Sequence, residues 1–130
     1  MSDGPLVLIV EDNERNLKLA RDLLQVKGFR TLAAATAEDG IALARRERPD
    51  LVLMDIQLPG MDGIAALREL RASGETSAIP VIAFTASVMK EDRDRFAAAG
   101  FDGHILKPID VRTFPDEVRS LAARGRRADA

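Results

Sequence analysis

The sequence contains no cysteine and a single histidine, His104. Without cysteine there is no disulfide framework, no thiolate nucleophile and no cysteine-ligated zinc. With one histidine there is no histidine cluster for a metal, and any Ser-His-Asp triad would have to be built on His104 itself. Charge of one sign is also in short supply: 19 basic against 21 acidic residues give a net charge of −2, no general electrostatic reason to bind nucleic acid or an anionic membrane. Long apolar runs are missing too. The start, MSDGPLVLIVEDN, has no basic region and only five apolar residues before Glu11, so it does not read as a signal peptide, and nothing approaches a membrane span. A cytoplasmic protein is expected.

What remains is 130 residues, 46% hydrophobic and 31% charged, the size and balance of one soluble domain with one core. LVLIV (6–10), LVLM (51–54) and VIAF (81–84) are short continuous apolar runs, the mark of strands buried on both faces. FRTLAAA (29–35) and GHIL (103–106) are weaker and read as strands nearer a sheet edge.

Helical patterns lie between the strands. Residues 13–27 repeat apolar positions at three- and four-residue spacing and stop at Gly28. Thr36 is placed to cap 37–47, which Pro49 closes, and Asp62 to cap 63–73. Residues 88–99 are highly charged, with Phe96 as the main apolar anchor. A last helix is expected over about 111–124, where Pro115 would remove a hydrogen bond in the second turn. Starting near Thr113, with Asp116 three residues on, would accommodate that proline.

Five strand–helix units in strict alternation predict an α/β fold, a parallel sheet with helices on both faces. No linker or repeat is visible. Residues 1–124 read as one domain, and 125–130 as a basic, solvated tail. Ligands of such sheets sit outside the carboxyl ends of the strands. There the sequence puts Glu11-Asp12, Asp55, Thr85-Ala86-Ser87 and Lys107-Pro108.

Taken singly, each has an ordinary explanation. Asp55 reads as a turn or helix cap, Glu11-Asp12 as the acidic start of a helix, Thr85 as a turn residue, and Lys-Pro as nearly uninformative. Together, three carboxylates repel unless a cation intervenes. An all-oxygen donor set favours a hard ion such as Mg²⁺. Lys107 adds a point charge suited to an anionic oxygen. The combination suits a phosphoryl group, with Asp55 as the nucleophile.

LVLIVEDNERN, PDLVLMDIQLPGMDG, PVIAFTA and LKPI together resemble, in order and spacing, the receiver domain of bacterial two-component response regulators, closest to its stand-alone, DivK-like members. The resemblance spans residue 6 to about 122. It implies a doubly wound (βα)5, flavodoxin-like (CheY-like) fold with strand order 2-1-3-4-5. Asp55 would accept a phosphoryl group from a kinase phosphohistidine. Glu11, Asp12, Asp55 and the backbone carbonyl of Gln57 would hold Mg²⁺. Thr85 and Lys107 would meet the phosphoryl oxygens, and the Lys107-Pro108 peptide would be cis.

The partners implied are a sensor histidine kinase or a histidine phosphotransfer protein. They would be met on the face of the fourth helix, fifth strand and fifth helix. His104 stands where the family has a switching aromatic, so it is either a toggle that titrates near neutrality or a strand residue without special role. No output domain is expected after the fifth helix. The chain would be a partner-binding switch or a shuttle between histidines rather than an enzyme. Two enzyme families fit less well. A flavodoxin would need a Ser/Thr/Gly-rich first loop where EDNERN is acidic, and a haloacid-dehalogenase-type phosphatase needs a second Asp where Gln57 stands. No G-x-G-x-x-G or Walker loop is present.

Overall fold

The computed structural model describes residues 4–87 and 89–125. The elements, in chain order, are β1 Leu6–Val10, α1 Glu14–Val26, β2 Arg30–Ala34, α2 Ala37–Glu47 and β3 Leu51–Asp55. There follow α3 Gly63–Ala72, β4 Val81–Thr85, α4 Lys90–Ala99, β5 Gly103–Leu106 and α5 Phe114–Arg124. All strand pairings are parallel, in the order β2-β1-β3-β4-β5. The two strands with weak apolar character are the two edges, where half-burial relaxes the need for continuous apolar sequence.

Alternation along the strands divides the core between the two faces of the sheet. Val7, Ile9, Leu51, Leu53, Ile82 and Phe84 pack with α1 and α5 through Ala20, Leu24, Phe114 and Val118. Their neighbours Leu8, Val10, Val52, Met54, Val81 and Ala83 pack with α2, α3 and α4 through Ile41, Ala44, Leu67, Leu70 and Phe96. Each fully buried aliphatic or aromatic side chain contributes about 1.5–3 kcal/mol, so the three central strands dominate the stability.

Helix ends follow the local chemistry. Asn13, Thr36 and Asp62 cap α1, α2 and α3 through side-chain oxygens that accept from Asn16, Asp39 and Ala65. α2 ends where expected, and two helix starts differ from expectation by more than one residue. Arg48 ends α2 in the left-handed region, φ 48°, because the residue before Pro49 is barred from continuing the helix. α4 starts at Lys90 rather than 88, and Val88 lies outside the described residues.

The second is α5, which starts at Phe114 rather than 111, as a start near Thr113 would have it, with Pro115 in its first turn, where a missing N–H costs nothing. Thr113 makes no side-chain cap bond. Asp110 heads the preceding turn instead, its Oδ1 accepting from Arg112 N–H and its carbonyl from Thr113 and Phe114. The expected tail, 125–130, lies outside the described residues except for Gly125.

Candidate functional site at the carboxyl edge of the sheet

The chain leaves β1 for β2 on one side and returns to β3 on the other, so a topological switch point lies between β1 and β3. Glu11 and Asp12 follow β1 there. Asp55 is the last residue of β3, and Thr85 the last of β4. Backbone bonds carry the ladder just beyond the strand ends: Glu11 N–H to Ala34 O at 3.0 Å, Ile56 N–H to Phe84 O at 3.3 Å, and Lys107 N–H to Thr85 O at 2.8 Å. The side chains of the site therefore hang from a fixed frame.

Asp55 and Glu11 are buried, at 4% and 1% exposure, and Asp12 is exposed. One carboxylate oxygen from each of the three lies within 4.8 Å of the others. Lys107 Nζ stands 3.1 Å from Glu11 Oε1 and 3.3 Å from Asp55 Oδ1, and 5.1 Å from the centroid of the Phe84 ring. Backbone amides hold the carboxylates from behind: Gln57 N–H donates to Asp55 Oδ1 at 3.0 Å and Asn13 N–H to Glu11 Oε2 at 3.1 Å.

Burial raises the Glu11 carboxyl above its ordinary 4.5. The Asn13 amide pulls the other way, Asp55 pushes further up through a hydrogen bond and its charge, and Lys107 lowers. A buried carboxyl whose charged form is disfavoured beside a second carboxylate lacks positive charge. A hard divalent cation fits this all-oxygen donor set. Glu11, Asp12 and Asp55 are the side chains that could hold it.

The loop after β3 needs a glycine at Gly63. A Cβ there would stand 2.8 Å from Asp55 O and 2.9 Å from Ile56 Cα, so α3 starts hard against the strand that carries Asp55. Gly63 N–H closes the loop on Ile56 O at 3.0 Å. Thr85 is buried, at 6% exposure, and its hydroxyl accepts from Ser87 N–H at 3.1 Å. The Lys107-Pro108 peptide is cis.

Of the residues singled out from sequence, Glu11, Asp12, Asp55 and Lys107 converge, with Thr85 on the neighbouring strand. His104 is exposed on β5. It lines a cavity of about 450 Å³ with Ile105, Thr113, Asp116, Glu117, Ser120 and Leu121. Sequence reading passed over Asp92, bonded to Ser87 Oγ at 2.5 Å, and the half-buried pair Arg71–Asp102 at 2.7 Å. Neither carries a local signal, since each is defined only by a partner in another element.

A five-stranded doubly wound sheet with an acidic cluster and a lysine at its switch point defines a receiver domain. The response regulator receiver domain family matches residues 7–119, and the chain belongs to that family. It is 45% identical over 114 residues to the polar-differentiation response regulator DivK of Brucella anthropi, covering 88% of this chain and 93% of that one. Among solved structures, the receiver domain of the Pseudomonas aeruginosa sensor histidine kinase PA1611 aligns with a TM-score of 0.80 at 33% identity. That alignment covers 93% of this chain and 96% of the other, whose structure has magnesium coordinated in its active-site cleft. The Vibrio cholerae chemotaxis regulator CheY4 shares the fold, with a TM-score of 0.85 at 23% identity over 91% and 98% of the two chains.

Proposed function

We propose that this chain is a single-domain response regulator whose Asp55 takes a phosphoryl group from a kinase phosphohistidine, and that the phosphorylated form alters partner binding. One observation carries the reading: Lys107 Nζ sits between Asp55 Oδ1 and Glu11 Oε1 in a pocket of three converging carboxylates.

Asp55 Oδ attacks phosphorus in line. The new O–P bond forms as the P–N bond breaks, and its electron pair leaves with the imidazole, which ends neutral once its proton count is restored from water. The burial of Asp55 keeps bulk water from the nucleophile, while Gln57 N–H fixes one carboxylate oxygen. Lys107 Nζ, already in contact with Asp55, meets a peripheral phosphoryl oxygen as a point charge. Thr85 Oγ1 donates to another after turning toward the group. Glu11, Asp12, Asp55 and the backbone carbonyl of Gln57 would hold Mg²⁺, which would supply positive charge to the phosphoryl group.

The chain assists its own phosphorylation and dephosphorylation rather than turning over an external substrate. Among the described residues no helix is long and apolar enough to cross a membrane, and a phosphohistidine charged from ATP puts the reading in the cytoplasm. The receiver is read as spanning residues 1–124. The donor is a sensor histidine kinase or a histidine phosphotransfer protein. Output is by protein contact on the face of α4, β5 and α5, and His104 on that face replaces the family's switching aromatic.

The test is phosphorylation by a small phosphodonor with Mg²⁺, followed on a phosphate-affinity mobility gel. Wild type should shift; Asp55→Asn and the chelated wild type should not. A shift in Asp55→Asn equal to wild type ends the reading. The alternative role is a phosphoryl shuttle or sink, which efficient back-transfer to a histidine phosphotransfer protein would favour.

A further inference from the structure

The amino edge of the sheet, opposite the acidic cluster, carries a cleft of about 330 Å³ that the phosphoryl chemistry proposed above does not use. Gly4 leads into β1, Arg30 opens β2, Asp50 precedes β3, and Arg119, Ala122 and Ala123 come from α5. The walls are tied to backbone. Pro5 O accepts from Arg30 N–H at 3.0 Å and Leu6 O from Asp50 N–H at 2.8 Å, while Asp50 Oδ2 accepts from Leu6 N–H at 2.8 Å. The chain before β1 lies so close to the turn after α1 that a Cβ on Gly4 would collide with Gly28 O.

Two guanidinium groups line this cleft, and each is held by neutral groups. Arg30 Nε donates to Gly4 O at 2.9 Å. Arg119 donates to Lys27 O at 2.9 Å and lies over the Phe29 ring, 4.6 Å from its centroid. Among the described residues neither makes an ion pair with a carboxylate. A carbonyl fixes the direction of a guanidinium without cancelling its charge, and most of its five N–H donors stay available. Fixed, uncompensated forks on one cleft are an arrangement for an anion.

We propose that this cleft binds a small phosphorylated molecule with hydroxyls beside its phosphate, a sugar phosphate or a nucleotide. Arg30 and Arg119 grip the phosphate oxygens through charge-assisted hydrogen bonds. Asp50 selects the rest of the molecule. Its carboxylate repels a bare anion, but among the described residues its Oδ1 accepts no hydrogen bond, so a hydroxyl donor finds a partner there. Ala122 and Ala123 add apolar surface. The volume lies at the low end of the roughly 300–1,000 Å³ range of ligand pockets, which suits one sugar with one phosphate. The site stands on residues of the amino edge alone, and phosphorylation of Asp55 is no part of it.

Amide chemical-shift titration of the full chain tests the site, with inorganic phosphate, ribose 5-phosphate and AMP as probes. EDTA is present throughout, so that no metal draws phosphate to the acidic cluster. Ribose 5-phosphate should bind about tenfold more tightly than inorganic phosphate, the factor for one added hydrogen bond to a charged group. Its shifts should fall at 4–6, 27–30, 50 and 119–123. Arg30→Gln and Arg119→Gln should each weaken it about tenfold or more, while Arg68→Gln, exposed on α3 and outside the cleft, should not. Asp50→Asn should bring ribose 5-phosphate and inorganic phosphate to within about threefold of each other, by weakening the first and strengthening the second. A variant that merely unfolds cannot strengthen either.

AMP tighter than ribose 5-phosphate supports a nucleotide with its base on Ala122 and Ala123; AMP no tighter supports a sugar phosphate. The site is overturned by no shift with ribose 5-phosphate at millimolar concentration, by equal affinities for it and inorganic phosphate in wild type, or by unchanged affinity in both arginine variants. Loss of binding in Asp55→Asn would put the ligand at the other edge and overturn it as well.

Discussion

At the scale of single residues, Glu11 shows how the site trades stability for function. Its folded value is raised, chiefly by burial and further by Asp55, so the protonated form is the one the fold prefers. Its contribution to stability is fully present below the ordinary value of 4.5 and is lost as pH rises through the folded value. In EDTA, wild type should therefore gain melting temperature relative to Glu11→Gln as pH falls from 7 toward 4.5. With Mg²⁺ present the gain should shrink, because the cation then offsets the charge that the proton removes. Melting curves of the two proteins at four pH values decide it. Parallel curves in EDTA would mean that Glu11 is not under strain.

Among the elements, the edge opposite the site is fixed by a half-buried ion pair. Asp102, 1% exposed and just before β5, accepts at Oδ2 from Arg71 NH2 at 2.7 Å and from Val81 N–H at 2.9 Å. Arg71 NH1 also donates to Ile79 O at 2.7 Å, and Arg124 donates to the Asp102 carbonyl. The ends of α3 and α5 and the starts of β4 and β5 meet at this one residue. Asp102→Ala should cost about 3–5 kcal/mol in urea unfolding, since the arginine is left in a site built for a pair. Phosphorylation of Asp55 in the folded fraction should stay near the wild-type rate. A loss of phosphorylation as large as the loss of stability would show that the two edges are coupled.

At the scale of the whole molecule, the proposed output face and the acidic cluster are separate regions joined by strands. His104 and the acidic groups Asp116 and Glu117 line one groove between β5 and α5. If His104 takes part in partner recognition, His104→Ala should weaken binding of the phosphorylated chain to its partner while leaving Asp55 phosphorylation near the wild-type rate. Calorimetric titration of the two proteins reads it, and equal affinities remove His104 from the recognition.

The sequence by itself determined the fold class and most of the site. Continuous apolar runs can only be strands covered on both faces, and alternation with helices forces them parallel. Parallel strands send every carboxyl end to one edge, so Glu11, Asp12, Asp55, Thr85 and Lys107 are gathered by topology alone. The capping residues Thr36 and Asp62 were legible for the same reason, because the bond that ends a helix lies within four residues.

Tertiary structure decided whatever depends on a partner far along the chain. It set Lys107 between Glu11 and Asp55 and buried Glu11 while leaving Asp12 exposed. It made a lock of Arg71 and Asp102, which stand in different elements with no pattern to link them. Ser87 lay in plain view after β4, but nothing in the sequence pairs it with Asp92 of α4. Periodicity records which way a side chain points; it does not record which charged or hydroxyl group arrives from elsewhere to meet it.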